Sequence, residues 1–140
     1  MLYSKTSKYA VLALAELAGH APQNTVSTRK IADAADVPYP LLAKIVLRLS
    51  RAGILECHRG KSGGIRLAKP AEGIRILDVV LALEGEGLLH DCPLFLEACS
   101  CDQECEFHVL WKRARDGVIQ FLEQTSIRAV CDARASKTAV

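Results

Sequence analysis

The chain has 140 residues, half of them apolar, 5% aromatic and 24% charged, with a formal net charge of +2. That length suits one domain, or one domain with an appendage. No apolar run approaches the roughly 18 residues that cross a bilayer, and no basic segment precedes a cleavable apolar stretch, so a cytoplasmic protein with reduced thiols is expected.

The charge is unevenly spread. Residues 1–80 hold twelve Lys/Arg against six Asp/Glu, and residues 81–140 hold six against ten, so the halves carry +6 and −4. Between Arg75 and Lys112 every Asp, Glu, Lys or Arg is acidic. The first half could serve a polyanion and the second could not.

SKYAVLALAELAGHA places Val11, Leu14, Ala15 and Leu17 at helical spacing, with Ser7 as the expected cap and an end near Gly19. STRKIADAA is a short helix with Ile31 and Ala34 expected inward. DVPYP interrupts it, because a proline disfavours helical geometry in the residue before it. YPLLAKIVLRLSRAG then resumes as a helix with Pro40 in its first turn and Gly53 at its end. Its apolar stripe is Leu42, Ile45, Val46 and Leu49, opposite Ala43, Lys44, Arg48 and Arg51.

ILECH and IRLAK flank the basic, glycine-containing RGKSGG, which is the pattern of a β-hairpin. Two helices joined by a turn and followed by a hairpin form a winged DNA-reading module. The residues expected at double-stranded DNA are Thr28 and Arg29 on the first helix of the pair and Tyr39, Lys44 and Arg48 on the second. Arg59, Lys61 and Ser62 follow on the wing. His58 could touch DNA or sit on wing surface. Cys57 in the first strand is expected to be a small buried residue.

ILDVVLALEG is a further amphipathic helix, ending at Gly85 or Gly87. From Glu106 the chain repeats apolar residues at Phe107, Leu110, Trp111, Ala114, Val118, Phe121 and Leu122. That stripe is long for the chain left to cover it, and a second copy is the natural cover. The expected architecture is mainly α with a small β-hairpin, a winged helix-turn-helix plus a long C-terminal dimerisation helix. Residues 1–80 would be the DNA-binding domain, 81–108 a cluster-binding loop, 106–130 the dimerisation helix and 131–140 a flexible tail. No nucleophile–base set is evident, and the glycines of GKSGG lead into a strand and not a helix, so an enzyme is not expected.

DCPLFLEACSCDQECEFH gathers Cys92, Cys99, Cys101, Cys105 and His108 at short spacing. In a reducing compartment this favours a metal over disulfides. If the long helix begins near Glu104, Cys105 and His108 share its first turn, and the helix N-terminus favours a thiolate at Cys105. Cys92 and Cys99 would approach from the preceding loop. Three thiolates and an imidazole suit zinc or an iron–sulfur cluster, and ligand type does not separate the two. His90 is a possible substitute for His108. His20 follows a helix end and Cys131 could be a stray thiol.

SKYAVLALAELA, the helix pair, HRGKSGGIRLAKP and C-x6-C-x5-C-x2-H-x2-W before a long helix together resemble the Rrf2 family of IscR- and NsrR-like bacterial regulators. The resemblance spans residues 1 to about 130. It implies winged-helix homodimers that bind palindromic promoter DNA, with a cluster sensing iron–sulfur status, oxidants or nitric oxide. It places the family's cysteines on Cys92, Cys99 and Cys105, with Cys101 an alternative in the middle. The fourth ligand falls on His108 and the wing arginine on Arg59. Near the N-terminus, Lys5, Thr6, Ser7 and Lys8 offer no carboxylate to replace His108, which favours a 2Fe–2S cluster over 4Fe–4S. The recognition helix departs from IscR-like members in having Pro38, Pro40, Leu41 and Ala43 where polar residues often stand. A zinc-stabilised or metal-free regulator and a small electron carrier are the competing readings.

Overall fold

The computed structural model describes residues 3–94 and 105–138. The first helix, α1 (Lys5–Ala18), is capped by Ser4, whose Oγ accepts from the Ser7 amide at 3.1 Å. The cap therefore lies three residues before the expected Ser7. Ser7 is instead wholly buried, its hydroxyl donating to the Glu84 carboxylate. The Ser4 amide reaches both oxygens of that carboxylate at 3.1 Å.

Helix α2 (Thr28–Ala35) starts at Ser27, whose Oγ accepts from the Lys30 amide at 3.1 Å. It buries Ile31, Ala32 and Ala35, while Ala34 faces solvent, contrary to the sequence pattern. Asp36 then adopts a left-handed conformation (φ 55°), and this sets the corner of the helix pair before Pro38 begins α3 (Tyr39–Arg51). Leu42, Ile45, Val46 and Leu49 of α3 are all buried, as their spacing requires. Burying each such side chain stabilises the fold by about 1.5–3 kcal/mol.

Strands β1 (Leu55–His58) and β2 (Gly64–Leu67) pair antiparallel, with Leu55 opposite Leu67 and His58 opposite Gly64. Glycine is required at the wing's return. A Cβ on Gly64 would stand 2.4 Å from the Val26 carbonyl oxygen, and one on Gly63 would stand 2.3 Å from that of His58. Val26 and Ile65 exchange backbone hydrogen bonds of 2.8 and 2.9 Å, which fasten the wing to the loop before α2. Cys57 is exposed. The expectation of a buried thiol fails because burial along β1 ends at Leu55, and Cys57 and His58 lie further toward the exposed tip of the hairpin.

Helix α4 (Ile76–Glu84) buries Ile76, Val79, Val80 and Leu83 and leads into a short helix α5 (Gly87–His90). The single helix expected over 106–130 is two, α6 (His108–Gln124) and α7 (Ile127–Thr138). The break is held by the Ile74–Ile76 segment: the Ile127 amide donates to Ile74 at 2.8 Å and the Ile76 amide to Thr125 at 3.0 Å. Residues 131–138, expected as tail, are therefore helical. Helix α7 packs on α1, with Arg134 donating to the Leu12 carbonyl at 2.9 Å and Arg128 paired with Glu72 at 3.2 Å. Among the described residues no helix is long and apolar enough to cross a membrane.

Candidate functional site

Two groups of residues stand apart from the core. The first is a basic surface formed by α2, α3 and the hairpin. Arg29, Tyr39, Lys44, Arg48, Arg59, Lys61 and Ser62 are exposed and Thr28 is half-buried. The Arg29 guanidinium lies over the Tyr39 ring at 4.2 Å, which joins the start of α2 to the start of α3. Thr25 Oγ1 donates to the Ser62 carbonyl at 2.8 Å and steadies the wing tip. At the wing base, Arg66 Nε lies 2.7 Å from Glu56 Oε2, and His58 Nε2 lies 3.5 Å from the same oxygen. The hydrogen bond and charge of Arg66 hold the Glu56 carboxyl below its usual value, with His58 adding a smaller push in the same direction. Arg48 differs from the other cations, because its guanidinium donates to the Leu83 carbonyl in the last turn of α4.

The second group lies at the junction of α5 and α6. Cys92, Cys105, His108 and Trp111 line one small cleft together with Pro93, Leu94 and Phe107. Cys92 is half-buried and Cys105 exposed, so both thiols lie within reach of solvent species. Cys105 sits before the first turn of α6 and His108 opens that helix; the Cys105 carbonyl accepts from the His108 amide at 3.1 Å. Cys99 and Cys101 lie outside the described residues. Among the described residues, no three Cys, His, Asp or Glu are gathered closely enough to hold a metal ion. His90 is not among the residues that line the cleft and lies 3.9 Å from Glu86.

The chemistry of this cleft fits a sulfur-rich anionic group. Cys92, Cys105 and His108 line one space with Trp111, whose buried indole N–H has no hydrogen-bond partner among the described residues. A buried donor without an acceptor costs about 1–3 kcal/mol, and sulfide or thiolate sulfur would accept from it. The sequence places Trp111 both in an apolar stripe and at the end of the cysteine–histidine motif. Helical spacing alone carries no sign that the indole nitrogen will be buried.

Cys131 is half-buried where α7 meets α1, with its sulfur 3.9 Å from Arg128 Nη1, and takes no part in the cleft. His20 lies 3.9 Å from Glu16 at the same C-terminal end of α1. On α6, Phe107, Val109, Leu110 and Phe121 are exposed, with Leu110 at 66%. Only part of the stripe is therefore covered from within the chain.

The profile of the Rrf2 family, described as an iron-dependent transcriptional regulator, matches residues 3–133. An HTH-type transcriptional regulator of Aquifex aeolicus is 33% identical over 131 residues, 91% of this chain and 90% of that protein. The HTH-type transcriptional regulator IscR of Cereibacter sphaeroides is 36% identical over 86 residues, 60% of this chain and 56% of its own length. The crystal structure of CymR, the global cysteine regulator of B. subtilis, superposes with a TM-score of 0.77 at 26% identity, covering 93% of this chain and 95% of CymR. The chain belongs to the Rrf2 family of winged-helix transcriptional regulators, DNA-binding proteins and not enzymes.

Proposed function

We propose that this regulator is a homodimer whose hold on promoter DNA is controlled by an iron–sulfur cluster bound by Cys92, Cys99, Cys105 and His108. Cys101 is the alternative to Cys99, and a 2Fe–2S cluster is favoured over 4Fe–4S. The observation that carries the reading is the one small cleft lined by Cys92, Cys105 and His108 together with Trp111, whose buried indole N–H has no partner among the described residues. When bound, the cluster supplies sensitivity to oxidants, nitric oxide or iron–sulfur supply.

The protein's own part is mechanical. Cys92 follows α5 and α4, while Cys105 just precedes α6 and His108 opens it. A common attachment at these residues fixes the end of α4 against the start of α6. Because Arg48 of α3 donates to Leu83 of α4, the same attachment bears on the recognition helix. Residues 1–80 are the reading head, 81–108 carry the cluster, and the exposed apolar residues of α6 meet their counterparts in a second copy. Half-sites one DNA turn apart, about 34 Å, would make two-headed binding sensitive to small rotations. A cytoplasmic setting keeps the thiols reduced.

Likeness to CymR, named as a cysteine regulator, keeps a zinc-stabilised or metal-free regulator as the second reading. Air-free purification with an absorption spectrum and analysis for iron, sulfide and zinc separates the two. Coloured protein with iron and sulfide, with an altered spectrum in His108→Ala, is the expected result. Colourless protein holding zinc or no metal overturns the cluster. Equal operator binding by loaded and cluster-free protein at several salt concentrations overturns the switch.

A further inference from the structure

We propose that α3 reads thymine methyl groups, with Leu47 as the specificity-determining residue. The proposal rests on α3 entering the major groove and adds which base feature it recognises. Leu47 is 53% exposed on a helix whose other leucines, Leu42 and Leu49 foremost, are buried or half-buried. Residues 40, 43, 44, 47 and 51 share the outward face by helical spacing, with Leu47 near its middle.

The polar side chains that could read base edges are largely absent from this face. Helix α3 contains no Asn, Gln, Asp or Glu, so the amide pairing with adenine and the carboxylate pairing with cytosine are both missing. Tyr39 is stacked beneath Arg29, and Arg48 is engaged with Leu83. What projects from the middle of the face is Pro40, Ala43 and Leu47, flanked by Lys44 and Arg51. Those two cations have no ion-pair partner among the described residues and suit phosphate or guanine.

An apolar centre between cations matches the one apolar feature of the major groove, the C5 methyl of thymine. Covering one methyl in this way corresponds to about four-fold in affinity. Ala43, one turn before Leu47, offers a second and smaller apolar surface to a neighbouring base.

The experiment is to enrich duplexes from a randomised library with the full chain, then replace each thymine of the recovered operator singly by deoxyuridine, which removes only the methyl. The expected result is a loss of about four-fold at one thymine in each half-site, and no difference between thymine and deoxyuridine there for Leu47→Ala. Leu47→Gln, which can pair with adenine, is expected to enrich duplexes with adenine at that position. Sequence-specific binding with no sensitive thymine overturns the proposal alone. A sensitivity that persists in Leu47→Ala, with its unfolding temperature unchanged, also overturns it. Failure to enrich any duplex overturns the reading head together with it.

Discussion

Arg48, on the recognition helix, donates a hydrogen bond to the carbonyl of Leu83, in the last turn of the helix that leads into the cysteine segment. The two residues lie 35 positions apart, and the bond joins the DNA-reading element to α4, which α5 separates from Cys92. Arg48→Ala is expected to lower stability by about 1 kcal/mol, the usual worth of such a bond. If the bond carries the signal, the variant also narrows the difference in operator affinity between loaded and cluster-free protein. Denaturant melts and paired binding curves check both parts.

Arg59 and Lys61 project from the wing tip, and neither has an ion-pair partner among the described residues. Replacing either by Ala is expected to weaken DNA binding evenly across sequences. The slope of log affinity against log salt should flatten by about one unit. An unchanged slope in fluorescence anisotropy titrations would remove these residues from the contact.

Leu110 is the most exposed of the large apolar residues on α6, and Val109, Phe107 and Phe121 extend the same helix. Leu110→Asp would place a charge in the proposed subunit contact and is expected to shift the protein to monomers. Sedimentation velocity measures this directly. A variant with the mass of the parent dimer and an intact fold would assign the interface elsewhere.

Glu56 titrates below its ordinary value of 4.5 because of Arg66 beside it. A carboxyl with a lowered folded-state pKa contributes stability above its unfolded pKa and loses it as pH falls through the folded one. The wing therefore loosens on the acid side of about pH 4.5 and is unaffected near neutrality. Glu56→Gln is expected to flatten that acid limb in unfolding temperature against pH, with a modest effect because the pair is exposed.

The sequence alone carried whatever depends on neighbours along the chain. Leu42, Ile45, Val46 and Leu49 recur at the period of a helix, so their burial followed from local geometry. The glycines of the wing were legible because a tight return leaves no room for a Cβ. The short spacing of cysteine and histidine singled out Cys92, Cys105 and His108, which line one cleft. Only the tertiary structure decided the roles set by distant partners. Ser7 is buried and Ser4 is the cap because Glu84 arrives from α4 to meet both. Arg48 turns to Leu83, Cys57 is exposed, and the indole N–H of Trp111 is buried. The helix after Thr125, with Ile127 its one buried residue, is defined by packing on α1. Local propensity reports period and turn, whereas burial and pairing arise from contacts between segments that one-dimensional spacing does not encode.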